Sequence, residues 1–307
     1  MANENATAKP VTPSPLALEL AGYTRDNGIT QAAVARALGL SDSALSQWLG
    51  GVYKGDAKRI ETAVNGFLKL SRERAEACRP HIGFVMTSTA ARVFDACRMA
   101  HVDGEIGVVI GDAGIGKTTA VKQYAALNSD VILVEADLGY TARDLFAELH
   151  RKCGFDGLGS INRMKDEVID RLRGSGRLVI IDEAEHLPVR ALDLVRRIND
   201  KAGCGILFCG LKRFMESLRI KQADFAYLWS RVAFRVVVDG LNVQDAELMV
   251  KEVIPGENGL CKTFYEESHG NGRILAKLIG RTVRMCQLND SEPNQGIVRE
   301  AARLMAL

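Results

Sequence analysis

Residues 105–120 read EIGVVIGDAGIGKTTA, and this stretch constrains the fold more than any other. Its short run of Ile and Val suits a strand buried on both faces. Gly111, Gly114 and Gly116 suit a loop whose backbone turns through conformations that a Cβ would hinder. From Lys117 onward the pattern changes to that of a helix. A strand, a glycine-rich loop and a helix in this order belong to a parallel sheet, because parallel strands need a crossover between them. The rest of the central region follows suit. Strands are predicted at Ile106–Ile110, Val131–Glu135, Leu178–Ile181, Gly205–Cys209 and Val232–Val238, with amphipathic stretches between them. From Val243 the strands stop, and helices are expected, broken at IPGENG, SHGNGR and LNDSEPNQG.

The loop itself carries chemistry. Gly111, four residues, then Gly116, Lys117 and Thr118 is the spacing of a phosphate-binding loop. Successive N–H groups from Gly111, Asp112, Ala113, Gly114, Ile115, Gly116, Lys117, Thr118 and Thr119 are expected to surround the phosphates of ATP. Lys117 would place its charge on the β and γ oxygens, and the helix dipole points the same way. The Thr118 hydroxyl is a ligand for Mg²⁺. A second motif, RLVIIDEAEHL, brings a buried strand to Asp182 and Glu183 at its C-terminal end, where parallel sheets bind ligands. Asp182 is expected with Thr118 around Mg²⁺, and Glu183 is expected to orient or activate the attacking water.

Residues 31–51, QAAVARALGLSDSALSQWLGG, hold a different pattern. Ala32, Val34, Ala35 and Leu38 share one helical face, Gly39 permits a turn, and Ser41 or Asp42 caps the next helix. That helix would bury Ala44, Leu45, Trp48 and Leu49 and show Ser43, Ser46 and Gln47, as a helix-turn-helix domain shows its recognition helix to DNA. Lys54, Lys58 and Arg59 follow as candidate phosphate contacts, which position a protein without specifying sequence. Further basic residues (Arg196, Arg197, Lys201, Lys212, Arg213, Arg219 and Lys221) gather near one edge of the sheet, and Lys212 and Arg213 are the expected DNA contacts there.

Composition mainly excludes. With 40 basic and 38 acidic residues the net charge is +2, too mild to argue for nucleic acid by itself. No apolar run is long enough to span a bilayer, and the N-terminus lacks the layout of a secretory signal, so a cytoplasmic protein with no membrane partner is expected. The seven cysteines are scattered and form no CxxC pair, which fits reduced, buried thiols. The expected organisation is a disordered tail at 1–15, a helix-turn-helix domain at 16–70 and a linker at 71–86. An ATPase domain at 87–240 and a helical lid at 241–307 complete it.

GDAGIGKTT, LVIIDEAEHL and FAYLWSRVAFR together resemble an AAA+ ATPase. The order of domains and the LSQWLGGVYKGD stretch, with Tyr53, Gly55 and Asp56, are similar to the phage Mu B transposition protein family of target-selection ATPases. The resemblance implies an arginine finger at Arg231, with Arg235 as the fallback, and a sensor arginine at Arg273 on the lid. It also implies double-stranded DNA bound with little sequence preference, a transposase partner and a homo-oligomer or filament on DNA. One position departs from the pattern. Leu211 follows the fourth strand where a polar sensor belongs, and a leucine cannot hydrogen-bond water, so slow or partner-stimulated hydrolysis is expected. A nucleotide-switched, sequence-specific regulator and a replicative helicase loader are the alternatives.

Overall fold

The five apolar runs form one parallel sheet, ordered β2-β3-β4-β1-β5. The strands are β1 (Ile106–Ile110), β2 (Val131–Glu135), β3 (Leu178–Asp182), β4 (Gly205–Gly210) and β5 (Val232–Val237). The computed structural model describes residues 13–76, 82–157, 159–214, 230–256 and 259–305. Two compact units divide the chain at Arg79 and Pro80.

In the N-terminal unit four helices surround a small apolar core: α1 (Pro15–Asp26), α2 (Gln31–Leu38), α3 (Asp42–Leu49) and α4 (Ala57–Glu76). Leu20, Val34, Leu45, Trp48, Ile60 and Val64 fill that core. Gly39 ends α2 with φ +66°, a left-handed value that glycine adopts without penalty. The Ser41 hydroxyl then caps α3 by accepting from the Ala44 N–H at 3.2 Å. Helix α1 begins at Pro15 under a Ser14 cap, just inside the expected tail, of which residues 1–12 lie outside the described residues. Helix α4 runs past the expected boundary at residue 70, because the residues that follow, SRERAE, hold no glycine or proline to end it.

In the second unit helices cover both faces of the sheet. Helices α7 (Ala142–Lys152), α8 (Ile161–Leu172) and α9 (Val189–Ala202) bury Phe146, Leu149, Val168 and Val195 against Val108, Ile181 and Phe208 on one face. Helices α5 (Ser88–Asp103) and α6 (Lys117–Leu127) bury Val93, Ala96 and Val121 against Val109, Ile180 and Leu207 on the other. Covering both faces explains why β1, β3 and β4 are apolar at nearly every position. Each strand end lies within one residue of the expected one.

Four further helices, α10 (Val243–Lys251), α11 (Cys261–Ser268), α12 (Gly272–Leu288) and α13 (Gln295–Arg303), close around Phe264, Leu275, Leu278, Ile279 and Val298. Asp245 of α10 joins this lid to α5, accepting from the Ser88 N–H and hydroxyl at 2.6 Å each. None of the described helices is long and apolar enough to cross a membrane.

Candidate active site

The phosphate-binding loop leaves β1 at Gly111 and enters α6 at Lys117. Gly114 and Gly116 have φ +79° and +101°, and a Cβ on Gly114 would come within 2.5 Å of Asn271. Glycine is therefore required there twice over, by backbone conformation and by the approach of the lid. No side chain caps the first turn of α6, so its leading N–H groups face the loop. Lys117 is 7% exposed, and its Nζ donates to the carbonyls of Gly111 at 2.9 Å and Asp112 at 2.8 Å. Burial holds its pKa below the usual lysine value, against the pull of Asp182 and the other acids nearby.

Strand β3 delivers Asp182 to the same end of the sheet, 1% exposed. Its Oδ1 accepts the Glu183 N–H at 3.0 Å, while Oδ2 is buried without a hydrogen-bond partner among the described residues. Burial pushes this carboxyl above the usual aspartate range, and the nearby Thr118 hydroxyl counters only part of that shift. An unpaired, buried carboxylate oxygen beside a hydroxyl is the donor set a hard divalent cation takes, so these residues fit Mg²⁺. Glu183 occupies the left-handed region at φ +53°, and its carboxylate lies 3.4 Å from His186 Nδ1. A non-glycine residue held there stores strain, which native structures tolerate mainly at functional positions.

The lid reaches the loop through Asn271, the cap of α12. Its side chain donates to the Ala113 carbonyl at 2.9 Å, and the Arg273 N–H donates to the Gly114 carbonyl at 2.9 Å. Between loop and lid lies a cleft of about 310 Å³, lined by Gly116, Lys117, Thr118, Arg273 and an apolar wall of Ile82, Val85, Met249 and Ala276. The structure thus brings Lys117, Thr118, Asp182 and Arg273 together. It places Arg231 elsewhere, immediately before β5 and 3.2 Å from Asp200, at the strand end away from its own loop. Arg235 lies on β5, an edge strand, and is exposed.

Several contributors were hidden in the sequence. Residues 82–86, expected as linker, supply part of the apolar wall, and Asn271 is legible only as a polar residue before a helix. Glu185 follows the Asp-Glu pair and accepts the Leu211 N–H at 3.2 Å. Lys212 and Arg213, expected to face DNA, are exposed and lie 2.7 Å from Asp112 and 3.8 Å from Glu185. Arg196 and Arg197 are paired with Asp193, so that edge is less basic than its composition implies. Arg219 and Lys221 lie outside the described residues. In the N-terminal unit Ser43, Ser46, Gln47, Lys54, Lys58 and Arg59 are all exposed.

Residues 100–218 match the model of an AAA domain. An ORC2 protein of Aeropyrum pernix, solved with ADPNP and ADP, shares the fold at a TM-score of 0.52 and 15% identity over 70% of this chain and 66% of its own. A RuvB mutant of Thermotoga maritima aligns at 0.50 and 17% identity, over 70% of this chain and 68% of its own. Fold and cleft together define an AAA+ P-loop ATPase.

The ATP-dependent target DNA activator B of Escherichia phage Mu is 28% identical over 89% of both chains. The Mu-like prophage FluMu DNA transposition protein B of Haemophilus influenzae is 27% identical over 76% of this chain and 83% of its own. At 27–28% identity over most of the chain, these relatives carry the names of Mu transposition protein B and target DNA activator B, the proteins its motifs resemble.

Proposed function

We propose that this ATPase, when loaded with ATP, binds double-stranded DNA with little sequence preference, presents it to a transposase, and releases it on hydrolysis. The observation that carries this reading is a complete phosphate cleft in the same chain as a separate helical unit with exposed polar and basic groups. The relatives' description as ATP-dependent target DNA activators supplies the class of partner. The protein would work in the cytoplasm as a homo-oligomer on DNA.

The phosphates would take the N–H groups of the loop from Gly111 to Thr119, and Lys117 would exchange its two carbonyl partners for phosphate oxygens. Thr118 and Asp182 would hold Mg²⁺, which when bound neutralises phosphate charge. Ile82, Val85, Met249 and Ala276 offer the base an apolar wall. Glu183 would leave His186 to orient the attacking water and take its proton. Arg273 reaches the phosphates from the lid. Arg231 is separated from its own cleft by the length of β5, roughly 3.3 Å for each residue. It therefore suits a neighbouring copy's γ-phosphate. Leu211 offers the water no hydrogen bond, which supports slow, partner-stimulated hydrolysis.

Ser43, Ser46 and Gln47 carry no charge, and Lys54, Lys58 and Arg59 flank them, an arrangement suited to holding DNA by its backbone. The deciding experiment is retention of a random-sequence duplex with no nucleotide, ADP, or a non-hydrolysable ATP analogue. Wild-type protein should form large complexes only with the analogue, and these should disperse as salt rises. Lys117→Ala should lose this nucleotide response. A Lys117→Ala protein that retains DNA as tightly, with the same response, would end the proposed coupling.

A further inference from the structure

The end of β4 has a second way of meeting the nucleotide. Lys212 Nζ lies 2.7 Å from Asp112 Oδ2, and Asp112 is the second residue of the phosphate-binding loop. The Asp112 carbonyl accepts from Lys117 Nζ, so one residue touches a cation on each side. The Gly111 N–H donates to the Gly210 carbonyl at 3.3 Å, which fixes the loop's start to the strand that carries Lys212. On the far side, Glu185 accepts the Leu211 N–H and lies 3.8 Å from Arg213. Residues 211–213 are therefore anchored at both ends, with Lys212 directed toward the phosphate loop.

Asp112 gives Lys212 a reason to move. Its carboxylate holds the lysine strongly enough to raise that group's pKa above the ordinary value. Both side chains are nonetheless about half exposed (48% and 62%), and an exposed pair of this kind is cheaply exchanged. A terminal phosphate carries more charge than one carboxylate and offers more acceptor oxygens, so it competes well for the same ammonium. Leu211, between Gly210 and Lys212, has no hydrogen-bonding side chain with which to make the contact.

We infer that Lys212 is the residue by which β4 reads the γ-phosphate of a bound nucleoside triphosphate, parked on Asp112 until the phosphate draws it away. The inference rests on the ATP reading above and reassigns Lys212 from DNA to nucleotide.

The test measures the affinity of the full-length protein for a fluorescent non-hydrolysable ATP analogue and for fluorescent ADP. It uses wild type, Lys212→Ala, Lys212→Arg, Asp112→Asn and the Lys212→Ala/Asp112→Asn double variant. Lys212→Ala should lose about tenfold for the triphosphate and little for ADP, the scale of one charge-assisted hydrogen bond. Lys212→Arg should recover most of this, because it keeps the charge, and Asp112→Asn should tighten the triphosphate by releasing the lysine. Two results would overturn the assignment. One is equal loss for both nucleotides; the other is full rescue of Lys212→Ala by Asp112→Asn, which would reduce Lys212 to neutralising that carboxylate. Unchanged nucleotide affinities with weakened DNA retention would return Lys212 to a DNA contact. Wild-type protein that binds neither nucleotide would sink the ATP reading itself, and a melting curve for each variant separates any loss of fold.

Discussion

The two units of this chain place their functional groups in opposite ways. In the sheet unit the important side chains are charged and buried: Lys117 is 7% exposed and Asp182 is 1% exposed. Neither sits comfortably without a ligand, since burial disfavours the charged form of both. In the N-terminal unit the candidate groups are exposed, and most are neutral or freely solvated. A site of the first kind binds one ligand tightly and is spoiled by a single change. A surface of the second kind binds loosely through many small contacts. The contrast is the one the proposed function asks for, close recognition of a nucleotide and looser recognition of DNA.

The largest expected effect separates the units outright. Trp48 is 5% exposed in the small core beneath α2 and α3, so Trp48→Ala should cost that unit about 3–5 kcal/mol. Nucleotide binding should survive while DNA retention fails; loss of both together would show that the units do not work independently. Asp182→Asn comes next and should have two opposite consequences. Hydrolysis should fall by at least about a hundredfold, as expected when charge stabilisation at a reacting centre is removed. The nucleotide-free protein should meanwhile become more stable at neutral pH, because the desolvation cost of a buried carboxylate charge is removed.

The sign follows from linkage. A carboxyl whose pKa is raised on folding contributes stability below its unfolded value and loses it as pH rises through the folded value. Wild type should thus lose stability over that rise relative to Asp182→Asn, and parallel pH–melting curves for the two would refute the account. The smallest effect belongs to the exposed surface. Lys58→Ala should weaken DNA retention about equally on every sequence and lower the salt slope by about one, measured by titrating salt against retained duplex. A change in sequence preference would instead make Lys58 a reader of bases.

The sequence disclosed the two units unequally. Val and Ile runs ending at Gly111 and Asp182 mark strands and their functional ends, because a strand buried on both faces has little freedom of composition. Their order could not be read, since β3 pairing with β4 and β1 lying between β4 and β5 depend on where the helices pack. Lys117 and Asp182 were legible because motif spacing fixes them. The wall residue Met249 and the cap Asn271 were not, as they arrive from the lid by tertiary approach. Lys212 was legible as a charge but not as a partner of Asp112, a contact that joins positions 100 residues apart.

The clasp between Asn271 and the phosphate loop also sets when the cleft can exist. The hydrogen bond from Asn271 to the Ala113 carbonyl spans 158 residues, longer in sequence than the whole stretch that builds the sheet. During synthesis, the loop and all five strands emerge before the residue that completes them. A chain stopped short of Asn271 would hold the full sheet and both motifs, yet lack one side of its cleft. Ring closure over such a distance comes late and is entropically slow. Competence to bind nucleotide is thus acquired only once synthesis has passed Asn271, after the sheet and both motifs are already in place.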